Sequence, residues 1–192
     1  DQLAPDMRHR GVIAYAAPVA YASLDDVFAC AEEKGEPPLL LLLDEIEDPH
    51  NFGALLRTAD AAGVHGVLVP ERRGCALTAT VAKTSAGAVE HVRVVRIGNI
   101  VQEMKRLKER GLWFVGADMA GDEDMFHADL TGPLCIVVGS EGKGLGRLVK
   151  ETCDFLVRIP MHGAINSLNA SVAGAILMYE ALRQRMAKVC HG

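Results

Sequence analysis

The sequence predicts an α/β fold, with a parallel sheet covered by helices on both faces. Short, continuous apolar runs alternate along the chain with segments whose apolar residues recur at helical spacing. Continuous apolar runs are typical of parallel strands, because helices cover both of their faces. The chain has 192 residues, of which 49% are hydrophobic, so one domain of this class can bury a sizeable core.

The first elements follow a polar stretch at 1–11. An apolar run at 12–16 is a candidate for a short strand. Ser23 is a helix N-cap residue, since acidic residues follow it in the first turn, and Gly35 ends the helix that it begins. The run at 39–43 is apolar throughout and predicts a buried strand.

The next helix, over 52–62, has the clearest pattern in the chain. Its apolar residues follow the i, i+3, i+4, i+7 spacing of one helix face, namely Phe52, Leu55, Leu56 and Ala59. We expect Asn51 to cap this helix and Gly63 to end it. Further apolar runs predict strands at 66–69, 91–95, 112–115, 134–138 and 155–159. The segments between them predict helices at 78–85, 100–110, 145–150 and 168–186.

The closing helix, over 168–186, follows a polar segment. Ser167 is its expected cap, and Asn169 is expected in its first turn, near the positive end of the helix dipole. Its apolar spacing predicts a buried stripe of Leu168, Val172, Ile176 and Tyr179.

Composition limits the classes of function. The net charge of −5 disfavours a protein that binds nucleic acid by itself, although Arg72-Arg73 or the segment 105–110 could form a local basic patch. Five cysteines without a C-x-x-C spacing indicate a reducing cytoplasm. No apolar run reaches the roughly 18 residues that a membrane span needs. The seven histidines lack the spacing of metal ligands, so we expect no metal site.

A glycine-rich loop at 139–146 follows the apolar strand 134–138, which is where α/β proteins bind nucleotides. The order G-x-x-G-x-G is neither a Walker A loop, nor the dinucleotide fingerprint, nor a hydrolase elbow. A carboxylate, Glu141, lies within it, which disfavours phosphate binding. A nucleotide-like ligand without phosphate, or with positive charge, fits better, and S-adenosylmethionine meets both conditions.

A second motif, Asn51 to Arg57, lies where the strand 39–43 passes into its helix. Gly53 stands four residues before Arg57, and we interpret it as leaving room for a ligand beside the guanidinium. An exposed arginine and a tolerated glycine explain this motif equally well. A third motif, Ser167 to Ala173, is by itself explained by ordinary helix capping.

Together the three motifs resemble those of the SpoU, or TrmH, family of RNA ribose 2′-O-methyltransferases, which belong to the SPOUT class. The resemblance covers roughly residues 39–186 and rests on Asn51-x-Gly53-x-x-x-Arg57, on Gly139-Ser140-Glu141-Gly142-x-Gly144 with Ile159-Pro160-Met161, and on Ser167-Leu168-Asn169-x-Ser171-Val172-Ala173. Two shorter motifs, at 9–14 and 85–88, resemble the branch that methylates a guanosine of 23S ribosomal RNA. One departure is Arg10, where that branch more often has glutamine.

The resemblance implies a C-terminal trefoil knot, S-adenosylmethionine as cofactor, an RNA substrate and a homodimer whose site takes residues from both subunits. It implies catalytic roles for Arg57, Asn51, Glu141, Ser167 and Asn169. It implies cofactor contacts from Gly139, Ser140, Gly142, Ile159, Met161, Leu168 and Ala117. On this reading, residues 1–36 are a linker remnant with a lead-in strand and helix, and residues 37–192 are the catalytic domain, with an N-terminal RNA-binding domain absent.

The family usually assigns deprotonation of the ribose hydroxyl to the arginine that matches Arg57. Neutralising a guanidinium at pH 7 costs about 8 kcal/mol, so we expect Arg57 to stabilise the developing alkoxide as a cation instead. Glu141 is expected to orient Asn51 or Arg57. The alternatives are a transfer RNA 2′-O-methyltransferase and a non-catalytic RNA-binding module, and the latter predicts the loss of Arg57, Glu141 or Asn169, all of which are present.

Overall fold

The computed structural model describes residues 20–165 and 167–189. The strand expected at 12–16 and the motif at 9–14 lie outside the described residues. The strands are β1 (Leu39–Asp44), β2 (Gly66–Pro70), β3 (Val94–Ile97), β4 (Trp113–Ala117), β5 (Glu123–Asp124), β6 (Leu134–Gly139) and β7 (Phe155–Arg158). The helices are α1 (Leu24–Lys34), α2 (Pro49–Ala61), α3 (Ala79–Thr84), α4 (Ile100–Glu109), α5 (Arg147–Thr152) and α6 (Ala170–Val189), with a 3₁₀ turn at Ala88–Glu90.

The strands of the described ranges form one sheet in the order β3-β2-β1-β6-β4-β7-β5, and every neighbouring pair is parallel. The chain first builds β1, β2 and β3 outward on one side and then crosses to β4. β6 later takes the position between β1 and β4. The order in which strands are added therefore reverses at β1 and β6, in the middle of the sheet. The predicted α/β class with a parallel sheet is confirmed.

Two apolar cores cover the two faces of the sheet, because successive strand residues point to opposite sides. On one face, Leu41 and Ile136 pack with residues of α2 and α6, including Leu55 and Leu177. The other face carries Leu40 and Val137 together with residues of α1, α4 and α5, namely Val27, Met104, Leu107 and Val149. Every residue of β1 and β6 is buried, which explains why these strands read as unbroken apolar runs.

The ends of α1 follow directly from the sequence. Ser23 accepts a hydrogen bond from the backbone of Asp26, and the Asp26 carboxylate accepts one from the backbone of Ser23, which is a capping box. Gly35 adopts the left-handed conformation, at φ 63°, and its N–H donates to the carbonyls of the last turn. The predicted helix and both of its ends are confirmed.

The strand predicted at 91–95 begins later, at Val94. Gly87, at φ 88°, starts the 3₁₀ turn, and His91 still belongs to the end of that turn. Val92 is nevertheless buried, so the apolar pattern began before the strand did. The two-residue strand β5 escaped prediction, since Glu123 and Asp124 carry no apolar pattern at all.

The expected cap of α2 is wrong by three residues. Asp48, followed by Pro49 at the first helical position, accepts a hydrogen bond of 2.9 Å from the backbone of Asn51. Asn51 therefore lies inside the first turn, and its side chain is free for another role.

The expected cap of α6 is also wrong, and its expected buried stripe is wrong for Val172 and Tyr179, whereas Ile176 packs against the core. Asn169, not Ser167, caps the helix, because its Oδ1 accepts from the backbone N–H groups of Ser171 and Val172. The buried side is formed by small residues and by long apolar ones, namely Ala170, Gly174, Leu177, Met178 and Ala181. Val172 and Tyr179 are about half exposed, at 46% and 50%.

Candidate cofactor and substrate site

A pocket of about 300 Å³ lies at the carboxyl edge of the sheet, where β4, β6 and β7 end. This is the edge at which open α/β sheets bind ligands. Its volume is at the lower end of the roughly 300–1,000 Å³ that small-molecule sites occupy. Sixteen residues line it: Ala117, Asp118, Met119, Val138, Gly139, Ser140, Glu141, Gly142, Lys143, Gly144, Val157, Ile159, Ser167, Leu168, Ala170 and Ala173.

The glycine loop after β6 closes back on itself beside this pocket. The N–H of Gly144 donates a 2.9 Å hydrogen bond to the carbonyl of Ser140. A Cβ atom on Gly139 would collide with the backbone of Gly144, so the loop can fold this tightly only with glycine there. Gly142 has a φ of +83°, a conformation that other residues rarely adopt. The main chain is thereby exposed to any ligand that enters the pocket.

Ser140 supplies an independent sign of a ligand. Its Oγ is buried and has no hydrogen-bond partner within the described part of the chain, although the residue lines the pocket. Buried polar groups in native proteins are almost always satisfied. A ligand in the pocket would complete the hydrogen bonding of this hydroxyl, and the open backbone of the loop allows such a ligand to approach closely.

The far end of the loop is tied to β1 by a contact that the sequence did not reveal. The Asp44 carboxylate is buried and accepts a hydrogen bond of 2.7 Å from the N–H of Gly146. Burial raises the pKa of Asp44, against the smaller opposing effect of that hydrogen bond. The contact fixes the loop relative to the sheet.

Three side chains from separate motifs meet at the rim of the pocket. The Nδ2 group of Asn169 donates to Asn51 Oδ1 at 2.9 Å and to Glu141 Oε2 at 3.1 Å. The Asn169 amide is oriented by α6, since its Oδ1 is already engaged in capping that helix. Its Nδ2 group must then face away from the helix, toward α2 and the loop.

Glu141 was expected to orient Asn51 or Arg57, but its partner in this cluster is Asn169. Glu141 and Asn51 do not bond to each other in the described structure, but both accept from Asn169. Arg57 lies two turns further along α2, is exposed and makes no hydrogen bond or ion pair in the described ranges. The structure therefore brings Asn51, Glu141 and Asn169 together and leaves Arg57 apart from them.

The interpretation of Gly53 as room for a ligand is wrong. A Cβ atom on Gly53 would collide with the side chain of Thr84 in α3. The Thr84 hydroxyl lies within hydrogen-bonding distance, 3.1 Å, of the carbonyl of Pro49 at the start of α2. Gly53 is thus required for α2 and α3 to approach closely, and the space beside it is filled by Thr84 rather than left for a ligand.

Most of the residues expected to contact the cofactor line the pocket: Ala117, Gly139, Ser140, Gly142, Ile159 and Leu168. Met161 is half-buried and does not line it. Ser167, expected to be catalytic, is exposed and lines the pocket.

Asp118 also lines the pocket, and sequence reasoning did not single it out. Asp118 follows β4, and its carboxylate accepts a hydrogen bond of 2.8 Å from the N–H of Ala120 and pairs with Lys150 Nζ at 2.9 Å. Its place directly after a buried strand was a usable signal, because the carboxyl ends of parallel strands meet at one edge.

The described residues contain no group of three or more histidine, cysteine, aspartate or glutamate side chains that could hold a metal ion. None of the described helices is long and apolar enough to cross a membrane.

Comparison with known proteins agrees with this fold. Residues 38–179 match the SpoU rRNA Methylase family. The Bacillus subtilis (strain 168) protein YacO, assigned to the TrmH family of tRNA/rRNA methyltransferases, is 54% identical over 178 residues, which are 93% of this chain and 72% of YacO.

Two solved structures extend the comparison. The SpoU methyltransferase AviRb from Streptomyces viridochromogenes, in complex with the cofactor AdoMet, superposes with a TM-score of 0.74 at 34% identity, over 79% of this chain and 62% of AviRb. An RNA 2′-O ribose methyltransferase gives a TM-score of 0.72 at 37% identity, over 78% of this chain and 57% of the other.

The fold and its pocket define a methyltransferase of the SPOUT class. The chain belongs to the SpoU/TrmH family of RNA methyltransferases. The predicted cofactor, S-adenosylmethionine, is confirmed for this family.

Proposed function

We propose that this chain transfers a methyl group from S-adenosylmethionine to a ribose 2′-hydroxyl in RNA, with a guanosine of 23S ribosomal RNA as the target. The observation that carries the proposal is the hydrogen-bonded cluster of Asn51, Asn169 and Glu141 at the rim of a pocket formed by the glycine loop. The 37% identity to an RNA 2′-O ribose methyltransferase supports the 2′-O position. The guanosine target rests on the motif resemblance alone.

The residues of the pocket fit S-adenosylmethionine. The loop backbone at Gly139–Gly144 can approach the ligand closely, and Ser140 Oγ has a free hydrogen-bonding position. The carboxylate of Glu141 also lines the pocket, and it suits a ligand that carries positive charge.

S-adenosylmethionine, when bound, supplies a methyl group on a positively charged sulfur, and the bond from that sulfur to the methyl carbon breaks as the bond to the ribose oxygen forms. Arg57 remains protonated and stabilises the negative charge that develops on that oxygen. A phosphate of the RNA, paired with Arg57, accepts the hydroxyl proton. Asn169, itself held by its cap of α6, fixes both Asn51 and Glu141, so the three positions around the reacting ribose are set before it arrives.

A homodimer is part of the proposal. Arg57 does not line the pocket of its own chain, so it can act in the pocket of a second copy. Val172, Ile176, Tyr179 and Met186 form an apolar stripe along α6, and three of them are well exposed. A stripe of this spacing is typical of helices that pack against another copy. We propose a cytoplasmic location, which the four free cysteines of the described residues support.

The test is methyl transfer from radiolabelled S-adenosylmethionine to a 23S ribosomal RNA transcript and, in parallel, to a transfer RNA transcript. Mapping of the label to a ribose 2′-oxygen of the ribosomal transcript supports the proposal. Transfer to transfer RNA alone supports the alternative substrate. Calorimetry at millimolar S-adenosylmethionine provides the independent check, and no binding would favour the non-catalytic RNA-binding module.

A further inference from the structure

A second cavity lies at the same edge of the sheet, on the other side of the glycine loop. It is an open groove of about 470 Å³ beside the ends of β1 and β2 and the beginnings of α4 and α5. Gly139–Gly144 line the cofactor pocket, whereas Gly146–Val149 line the groove. The two cavities therefore lie on either side of one short segment of chain.

Three arginines line this groove, Arg72, Arg73 and Arg147, in a chain whose net charge is −5. Arg72 is exposed and makes no hydrogen bond or ion pair within residues 20–165 and 167–189. Arg147 is 79% exposed and pairs with Glu151 of its own helix at 3.1 Å. An exposed pair of this kind is weak because water screens it, so the Arg147 guanidinium remains available to a ligand.

The two carboxylates that line the groove are both engaged. Asp44 is buried and accepts from Gly146, and Glu45 pairs with Arg73 at 2.7 Å. Glu45 and Arg73 have positive φ angles, 56° and 58°, so their ion pair joins two loops in uncommon conformations. The charge that the groove offers to a ligand is therefore that of Arg72, in the loop after β2, and of Arg147, at the start of α5, and these two side chains can contact two separated anionic groups.

We propose that this groove holds the phosphate backbone of the RNA strand adjacent to the nucleotide whose ribose enters the cofactor pocket. The groove is open and both of these arginines are exposed, so it lacks the enclosure that holds a small free anion. A strand whose target nucleotide is already in the pocket is held close to the groove, which raises the effective concentration of its neighbouring phosphates. Its exposed Leu148, at 56%, adds an apolar contact for a sugar or base.

This inference rests on the proposed function, since it assigns a path to the RNA of that reaction. The test is RNA binding by the full chain, measured by fluorescence anisotropy with a fluorescein-labelled, single-stranded 20-nucleotide RNA at 50–200 mM salt, roughly the range over which phosphate contacts change affinity strongly. The variant is Arg72→Ala/Arg147→Ala. The matched control is Arg106→Ala, since Arg106 is also an exposed helical arginine in a surface ion pair, at 73% exposure, and does not line the groove.

We expect the double variant to bind the RNA about tenfold more weakly. The slope of log K against log salt concentration should become shallower by about 1.4, which corresponds to two phosphate contacts at about 0.7 each for single strands. Arg106→Ala and Arg72→Lys/Arg147→Lys should keep the wild-type slope, and calorimetry should show unchanged binding of S-adenosylmethionine. An unchanged slope in the double variant overturns the inference, as does an equal loss in Arg106→Ala. Failure of the wild-type chain to bind S-adenosylmethionine contradicts the proposed function instead and leaves the RNA-binding comparison to decide the groove.

Discussion

Asn169 donates a hydrogen bond of 2.9 Å to Asn51, a residue 118 positions earlier in the chain. The same Nδ2 group lies 3.1 Å from Glu141, and the Oδ1 of the same side chain caps α6. One amide thus links the end of a helix, the glycine loop and the first turn of α2. This position requires an amide that can both donate and accept, because a carboxylate cannot donate and a hydroxyl is too short to reach both partners.

Replacing Asn169 by aspartate separates its two roles. The variant keeps an oxygen for capping, so we expect Asn169→Asp to fold with α6 intact. It loses the donor and brings a second carboxylate next to Glu141, so kcat for methyl transfer should fall by about 10- to 100-fold, or about 1.4–2.7 kcal/mol. Adding Glu141→Gln returns a donor to the pair and should recover part of the rate. A rate that stays at the wild-type level in Asn169→Asp contradicts a positioning role.

Arg57 should act in the reaction without contributing to the fold. Because it is exposed and has no partner in the described structure, we expect Arg57→Ala to change the free energy of unfolding by less than about 0.5 kcal/mol. Removing a charge-stabilising donor typically lowers kcat by about 10²–10³-fold. Calorimetry of S-adenosylmethionine binding is the control and should be unchanged. Arg57→Lys with full activity would exclude a specific role for the guanidinium.

Glycine is required at positions 139 and 142 of the loop for different reasons. Gly139→Ala should abolish binding of S-adenosylmethionine, because its Cβ would collide with the backbone of Gly144. Gly142→Ala meets no atom within 4 Å but has to adopt a φ of +83°, which costs about 1–2 kcal/mol. Gly132→Ala is the matched control, since it meets nothing and has an ordinary φ. Equal binding by the Gly139 and Gly132 variants would contradict the proposed role of the loop.

The buried carboxylate at Asp44 predicts a dependence of stability on pH. Burial raises the pKa of Asp44 in the folded chain above its value in the unfolded chain. The folded state therefore holds the proton more tightly, and stability from this group is complete below the unfolded value and is lost as pH rises through the folded value. Relative to wild type, Asp44→Asn should become more stable as pH increases from 4 to 7, measured by urea unfolding. If the difference in the free energy of unfolding between the two proteins does not change with pH, the pKa of Asp44 is not raised by folding.

The proposed dimer can be tested on α6. Val172→Glu/Tyr179→Glu places charges on the exposed apolar stripe, and we expect the chain to become monomeric in light scattering while it keeps its secondary structure. Lys105→Glu, an exposed substitution on α4, should have no effect.

A shared site also predicts complementation. When the inactive variants Arg57→Ala and Gly139→Ala are mixed and allowed to exchange subunits, half of the dimers combine one of each. Each such dimer has one intact site, so about a quarter of the wild-type activity should return. No recovery in a mixture shown to have exchanged would place Arg57 in the pocket of its own chain.

Where local patterns decide structure, the sequence was sufficient. The run at 39–43 is apolar because both faces of β1 are covered, and Ser23 with Gly35 fixes α1 through contacts within four residues. Local patterns failed where the same apolar spacing is compatible with two different structures. The apolar pattern at 91–95 belongs partly to a 3₁₀ turn, and the stripe at Val172 and Tyr179 faces outward because Leu177 and Met178 fill the core.

The sequence by itself determined the class of fold, the order of most elements and the three motifs that contain Asn51, Glu141 and Asn169. The tertiary structure alone decided that Asn169, rather than Glu141, is the group that holds the other two, since this depends on which residue begins α6. It also decided that Gly53 serves helix packing, that Asp44 fixes the loop through Gly146, and that Asp118 lies in the pocket. Contacts between residues a hundred positions apart depend on how the strands are ordered in the sheet, and no local spacing encodes that order.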